Sequence, residues 1–162
     1  MGAALLGVWA AASTCGSPAT VAFDVHMVAA GAQTFRLTCP SGKRLVVVDD
    51  DVTISEIPGV EATVERVDDV NEDSAGPPSV VAAMTHPVSG TWRVEVSVRR
   101  PTGISLTATA DTDSVCEAGD AIDLEASGSQ AWRLEIGSGG RNGGCQLDLK
   151  RVKKSKSAKN KS

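Results

Sequence analysis

Short segments in which apolar and polar residues alternate recur along the chain, and they limit its possible folds more than any other feature. In TWRVEVSV, Trp92, Val94, Val96 and Val98 share one side of an extended chain, and the residues between them share the other. Side chains of a β-strand point alternately to opposite faces, so this period of two predicts a strand with one buried face. No segment keeps the apolar period of an amphipathic helix for more than about two turns.

Gly, Pro or acidic residues separate these segments from one another, and Val, Ala, Ser and Thr are abundant. Short strands at regular spacing with turn residues between them are typical of antiparallel sandwiches. We therefore predict an all-β fold, an antiparallel β-sandwich of immunoglobulin-like or jelly-roll-like type with about eight to ten strands. The predicted strands are AFDVHMV (22–28), TFRLTC (34–39), RLVVV (44–48), ATVERV (62–67), SVVAAMT (79–85), TWRVEVSV (91–98), ISLTATA (104–110), AIDLEAS (121–127), AWRLEIG (131–137) and CQLDLK (145–150).

The motif W-R-(V/L)-E-(V/I) occurs twice, beginning at Trp92 and at Trp132. Both tryptophans are in phase with the apolar residues that follow them, so we expect both rings in the core. The Arg and Glu of each motif fall on the opposite face, where we expect them to pair with neighbours across the sheet. Stacking of a carbohydrate on either Trp is the alternative interpretation.

A chain of 162 residues can form one modest core but not comfortably two. We divide it into a signal-peptide-like segment (1–12), a β-sandwich domain (13–112), additional β-strands packed on the sandwich (113–149) and a basic disordered tail (150–162). The last strands span under about 40 residues and could hardly fold alone without a disulfide or metal.

The N-terminal segment contains an apolar run from Ala3 to Trp9, followed by three alanines that a signal peptidase could cut. It is too short to cross a bilayer, so we predict no transmembrane segment. A secretory signal places the protein outside the cell or in the cell envelope. The alternatives are an apolar first strand or a frayed end, or a lipoprotein acylated at Cys15.

The four cysteines show neither C-x-x-C nor the Cys/His spacing of a zinc site. Cys116 and Cys145 bracket the second W-R strand, so a disulfide between them would close that segment, and Cys15 would then pair with Cys39. If Cys15 is lipidated, Cys39 has no partner. Four thiols in a cytosolic protein are the other possibility.

Basic residues are concentrated at the C-terminus, where the last thirteen positions hold seven of the sixteen bases and no acid. The first 149 residues therefore carry nine bases against twenty acids, a net charge of −11. This balance predicts no nucleic acid binding by the folded domain, because phosphate affinity depends on Lys and Arg. The tail is the candidate contact for a polyanion, through Lys150, Arg151, Lys153, Lys154, Lys156, Lys159 and Lys161.

Catalytic motifs are absent from the sequence. His26 and His86 are the only histidines, and there is no G-x-S-x-G nucleophile motif. The Gly-rich stretch GSGGRNGG (137–144) lacks the nucleotide-binding fingerprint and a strand-then-helix context. We therefore predict that the protein is not an enzyme and binds no cofactor.

Acidic residues cluster at Asp49–Asp51, along 68–73, and at Asp111 and Asp113. Such loops could supply the oxygen ligands that calcium needs. None has the spacing of a D-x-D-x-D-G calcium loop, so we predict no metal site and interpret these residues as solvated turn carboxylates.

Three turns carry a resemblance to a known kind of domain. They are Pro40-Ser41-Gly42-Lys43-Arg44, Ile57-Pro58-Gly59, and Pro87-Val88-Ser89-Gly90-Thr91-Trp92 at the start of a V-x-V strand. In this order, over about residues 21–112, they resemble the bacterial secreted β-sandwich accessory domains found C-terminal to extracellular proteases or von Willebrand factor A modules. The resemblance implies an extracellular, non-catalytic module and names no ligand.

These features together predict a non-catalytic, secreted or envelope-associated binding or structural module. Its partner is an unknown protein or a cell-envelope component. The alternative is a detached accessory domain that stabilises or targets a separately encoded extracellular enzyme.

Overall fold

A computed structural model of the protein describes residues 20–66, 78–112, 116–139 and 144–154. Within these ranges the chain forms antiparallel β-strands and no helix. The strands are β1 (Asp24–Ala30), β2 (Thr34–Thr38), β3 (Arg44–Val48), β4 (Asp51–Ser55), β5 (Val60–Glu65), β6 (Ser79–Met84), β7 (Gly90–Val98), β8 (Thr102–Asp111), β9 (Cys116–Leu124), β10 (Gly128–Gly139) and β11 (Gly144–Arg151).

The strands form two sheets, and this confirms the predicted antiparallel sandwich. One sheet has five strands in the order β5-β6-β1-β8-β9, and the other has six in the order β11-β10-β7-β2-β3-β4. Every neighbouring pair in both sheets is antiparallel. The alternation of the sequence thus leaves each sheet with one apolar face, which is buried against the other sheet.

The core lies between the two sheets and is filled by the apolar phase of each strand. Trp92 and Trp132 are 1% and 0% exposed, so the two copies of the W-R motif are core strands. Because so little of either ring is exposed, neither tryptophan can stack on a carbohydrate. The other large side chains that are fully buried include Phe35, Met27, Leu37, Leu45, Met84, Ile104, Leu106 and Leu134.

The strands after residue 112 extend both sheets. β9 is the edge strand next to β8, whereas β10 and β11 continue the six-stranded sheet beyond β7. Trp132, Leu134 and Ile136 of β10 are buried in the same core as the earlier strands. β9 and β11 come together at this side of the sandwich, although they belong to different sheets.

The described residues form eleven strands, one more than the predicted range, because the run Asp49–Asp51 does not end the extended chain. Asp49 and Asp50 form a tight turn with φ angles of 47° and 78°, a region that Asp tolerates better than most residues. Asp51 then begins β4, which pairs back onto β3. This strand was not predicted because the three aspartates were interpreted as the end of the run, and none of its residues is buried, since Ile54 is half-buried and the other four are exposed.

Several predictions concern residues outside the described ranges. These are the signal-like segment, Cys15, the acidic loop at 68–73, Asp113, and the tail beyond Lys154. Among the residues that are described, no helix is long and apolar enough to cross a membrane.

Candidate anion-binding surface

Charge is separated between the two outer faces of the sandwich. The strands of the five-stranded sheet present acidic side chains and no Lys or Arg on their outer face. The outward positions follow from the alternation, since the residues between them are buried. These acids are Asp24, Glu61, Glu65, Asp111, Glu117 and Asp123.

The outer face of the six-stranded sheet collects bases instead. Across its six strands it carries five bases and four acids. The net charge of the folded part therefore does not describe this face, which is where a contact with an anion becomes feasible. The bases are Arg36, Arg44, Arg93, Arg133 and Lys150, and the acids are Asp51, Glu95, Glu135 and Asp148.

Four of these bases lie on one line across the strands, which we call the basic row. Lys150 is directly opposite Arg133, and Arg133 is directly opposite Arg93. Thr38 then separates Arg93 from Arg44, which ends the row on β3. Neighbouring strands are about 4.8 Å apart, so the row spans about 19 Å.

The repeated W-R motif creates the centre of the basic row. β7 and β10 pair antiparallel, and the two copies of the motif meet with their arginines opposite each other. Each Trp is fixed in the core by a hydrogen bond from its indole N–H. The Trp92 indole donates to the Val88 carbonyl at 3.0 Å, and the Trp132 indole donates to Asp120 Oδ2 at 2.7 Å. The arginine that follows each ring must therefore point outward.

Like charges directly opposite each other in a sheet destabilise it, and the neighbouring acids compensate only part of the basic row. Lys150 Nζ is 2.6 Å from Asp148 Oδ2, and Arg93 Nη2 is 3.5 Å from Glu95 Oε2. The exposed side chain of Arg133 forms no ion pair with any other described residue. The row can therefore accept an anion at its centre without breaking an existing pair of Arg133.

A second line of side chains runs beside the basic row and is acidic. Glu135 lies between Asp148 and Thr91, and its Oε1 accepts a hydrogen bond of 2.7 Å from the Thr91 hydroxyl. On the other side of the row, Glu95 lies 3.9 Å from Arg36, which is its cross-strand neighbour. The surface thus offers cationic donors flanked by carboxylate acceptors.

The residues predicted for polyanion contact occupy different positions. Lys150 belongs to the basic row, and Lys153 and Lys154 are exposed immediately after β11. Lys156, Lys159 and Lys161 lie outside the described residues.

Arg151 is exposed on the side of β11 that faces the other sheet, and it has a structural partner. Its guanidinium binds Asp120, with Nη2 at 2.7 Å from Oδ1, and also donates to the Ala121 carbonyl at 3.0 Å. The Arg151 hydrogen bond, together with that from Trp132, lowers the pKa of Asp120 to about 2. This cluster joins β9 of one sheet to β10 and β11 of the other, and so it fixes the strand that carries Lys150.

The predicted disulfide between Cys116 and Cys145 is not formed in the structure, where both side chains are thiols. The two residues are nevertheless neighbours, because their side chains hydrogen-bond each other across the junction of β9 and β11. Burial, and then the contact with Cys145, raises the pKa of the Cys116 thiol to about 11. The pairing of Cys39 with Cys15 stays a prediction, since Cys15 is outside the described residues.

The other acidic and histidine candidates form separate small groups. Asp49 pairs with Arg99 at 2.9 Å, and Asp50 pairs with Arg66, so these aspartates belong to separate ion pairs. In the described ranges no three His, Cys, Asp or Glu side chains are grouped as a metal ion would require. His26 lies on the outer face of β1 two residues from Asp24, whose carboxylate accepts the His86 backbone N–H at 3.0 Å and lies 3.7 Å from His86 Nδ1.

The turn motifs behind the family resemblance have a conformational explanation. Gly42, Gly59 and Gly90 all adopt positive φ angles, of 89°, 71° and 129°. Glycine adopts such angles at little cost, so these glycines are required by the turns themselves.

No protein-family model, curated protein or solved structure matched this chain in comparisons with known proteins. The sequence alone predicts that the Arg residues of the W-R motifs are exposed partners of neighbouring charges, and it predicts anion binding only for the tail. One signal was available, since a motif repeated in two strands that pair antiparallel brings its own arginines together.

Proposed function

We propose that the protein is a non-catalytic, secreted or envelope-associated binding module that holds an anionic partner on the outer face of its six-stranded sheet. The observation that carries this proposal is the placement of Lys150, Arg133 and Arg93 at three successive cross-strand positions. Such a row costs stability in the absence of an anion, and rules of local structure are broken most often at functional positions.

The basic row continues into the C-terminal lysines, which supports the same function. Lys150 is the end of the row on the edge strand β11, and Lys153 and Lys154 follow it directly. An anionic polymer bound along the row would pass close to this segment. Several weak contacts on one polymer give a stronger overall attachment than any contact alone.

Export from the cell is supported by the apolar segment at residues 3–9 with its three following alanines. The neighbouring thiols of Cys116 and Cys145 are consistent with it, since such a pair can be oxidised outside the cell. A secreted protein with an acidic body and a basic face would approach an anionic envelope in one orientation.

The direct test is retention on cell-envelope preparations. The double variant Arg93→Gln, Arg133→Gln removes the centre of the basic row, and we expect it to lose most of its retention at low salt. The matched control is Arg99→Gln, Arg100→Gln, which removes the same charge from exposed positions away from the row. Retention of the unmodified protein should fall at ~0.5 M salt, where the screening length is a few ångström. Equal retention of the two double variants would reject the proposal.

The contribution of the tail is measured separately with a chain that ends at Lys154. This end keeps Arg151 on Asp120 and the 2.8 Å bond from the Val152 N–H to the Ala131 carbonyl, both of which hold β11. It removes Lys156, Lys159 and Lys161. We expect retention at low salt to weaken by up to about a hundredfold, since three bases are removed and each exposed base near an anionic surface contributes about 1 kcal/mol at most.

The second candidate function is that of a detached accessory domain for a separately encoded extracellular enzyme. It is favoured by the order of the Pro-Ser-Gly, Ile-Pro-Gly and Pro-x-x-Gly-Thr-Trp turns over residues 21–112. Co-purification of the native protein from its source with a protease or an A-type module would support it. The basic row would then be dispensable for that association.

A further inference from the structure

We propose that the basic row binds a linear acidic polysaccharide that lies across the strands, with carboxylates of successive sugars on Lys150, Arg133 and Arg93. This inference rests on the proposed function and names the class of its anionic partner. It follows from the direction of the row, the chemistry of its donors and the acids beside it.

The direction of the row requires an extended ligand. Its charges follow one another perpendicular to the strands, at the spacing of neighbouring strands, which is about 4.8 Å. A compact anion could reach only one or two of them. A polymer with one carboxylate on each sugar unit can place successive charges on successive strands.

The donors of the row suit carboxylates. Arginine presents a planar fork of N–H groups that matches both oxygens of a carboxylate. Arg133 has no ion-pair partner among the described residues, and the Arg93–Glu95 contact is long at 3.5 Å. These two guanidinium groups can therefore turn toward a ligand with little loss of existing contacts.

The acids beside the row favour a sugar polymer over other polyanions. Glu135 and Asp148 form the adjacent line on β10 and β11, where they can accept hydrogen bonds from sugar hydroxyls. These carboxylates repel any anionic polymer, but only a sugar polymer also brings hydroxyl donors that they can accept. Glu135 and Asp148 lie on one side of the row and Glu95 lies on the other, so the polymer would meet acceptors along both of its edges.

Recognition of single-stranded nucleic acid usually adds aromatic side chains on which bases stack. The described aromatic residues are all in the core, namely Phe23, Phe35, Trp92 and Trp132. The outer face of the six-stranded sheet therefore offers charge and hydrogen bonds but no stacking platform within the described part of the chain.

The test measures binding of the full protein to polygalacturonate by titration calorimetry or by retention on an immobilised polymer. Fully methyl-esterified polygalacturonate is the ligand control, because it keeps the sugar backbone and loses the charge. We expect binding to the acid form alone, and a loss of about tenfold or more on Arg93→Gln, Arg133→Gln, with Arg99→Gln, Arg100→Gln close to the unmodified protein. Far-ultraviolet circular dichroism checks that each variant keeps the β fold.

The acidic line provides a second variant with different effects on the two classes of polymer. Glu135→Ala, Asp148→Ala removes the charges and the acceptors together, so it should strengthen binding to a single-stranded oligonucleotide or polyphosphate more than binding to polygalacturonate, which also loses its hydroxyl contacts. Binding that is equally strong for the oligonucleotide and polygalacturonate, and that the acidic-line variant raises equally for both, would overturn the polysaccharide assignment.

The outcomes separate this inference from the function on which it rests. If envelope retention requires Arg93 and Arg133 but polygalacturonate does not bind, the polysaccharide class is wrong and the anionic binding face stands. If neither envelope retention nor polymer binding changes in Arg93→Gln, Arg133→Gln, both proposals fail together.

Discussion

Arg93 and Arg133 face each other directly across β7 and β10, each following a tryptophan that is buried in the same core. The antiparallel pairing of two copies of one motif produces this arrangement. Because the tryptophans fix the register, the arginines cannot move apart by a one-residue shift of either strand without turning the Trp of that strand to solvent. The like-charge pair is thus enforced by the packing of the core, and a mutation of either arginine tests it without disturbing that packing.

The first prediction concerns the cost of this pair. Arg133→Gln should raise the free energy of unfolding by about 0.2–1 kcal/mol at low salt, because it removes repulsion from both Arg93 and Lys150. Thermal or denaturant unfolding measures the change, which should shrink at ~1 M salt where the screening length is about 3 Å. The same variant should bind envelope preparations less well. A decrease in stability at low salt would show that Arg133 has a stabilising partner instead.

Most of the fold could be predicted from the sequence because the alternation of each strand reports its buried face. In β7 and β10 it identified the apolar residues that the structure buries in the core, which are Trp92, Val94, Val96, Val98, Trp132, Leu134 and Ile136. The same signal failed at β4. That strand alternates in sequence, but it is short and follows a tight turn of aspartates that was interpreted as the end of the run, and at this exposed edge Val52 is 44% exposed and Ile54 is only half-buried.

The candidate site was harder to predict, since its formation depends on register. The alternation of polar and apolar residues predicts that Arg93 and Arg133 are exposed, but their adjacency follows only from the pairing of β7 with β10. The net charge of −11 for residues 1–149 averages over two outer faces of opposite character. The net charge of the whole domain therefore gives no indication of the bases that are collected on one sheet.

The second prediction concerns the two buried tryptophans. Trp92→Ala and Trp132→Ala should each lower the free energy of unfolding by about 3–5 kcal/mol, because both leave a large cavity in the core. Denaturant titration followed by circular dichroism is the measurement. The milder Trp132→Phe keeps most of the volume and removes only the donor to Asp120 Oδ2, so its cost should be clearly smaller. A variant with lost polymer binding and unchanged stability would mean that the ring belongs to a binding surface.

The third prediction concerns the ion pair that closes the sandwich. Asp120→Asn should lower the free energy of unfolding by about 2 kcal/mol at pH 7, because the neutral amide loses its charge-assisted bonds with Arg151. In the folded protein the pKa of Asp120 is about 2, below the ~3.9 of an unperturbed Asp. The carboxylate therefore contributes its full stability above about pH 4, and the contribution is lost as the pH falls toward 2.

Unfolding of the two proteins between pH 7 and pH 2 measures this dependence. The difference in stability should be constant down to about pH 4 and then close. Asp123→Asn is the control, since it changes an outward residue of the same strand β9. A difference that persists unchanged at pH 2 would mean that the Arg151 contact does not depend on the charge of Asp120.

The last prediction concerns Cys116 and Cys145, whose side chains are hydrogen-bonded thiols at the junction of β9 and β11. We expect an added oxidant such as oxidised glutathione to join them, because the two side chains are already in contact. The reaction requires a thiolate, and the pKa of Cys116 is raised to about 11. Oxidation should therefore be slow at pH 7 and faster at pH 9, as followed by mass spectrometry of the linked peptides.

Closing this loop of about 30 residues should raise the free energy of unfolding by roughly 3–4 kcal/mol relative to Cys116→Ser. If the peptides stay unlinked at both pH values, the separation of β9 and β11 is too rigid for a disulfide, and the two cysteines act only as packing residues.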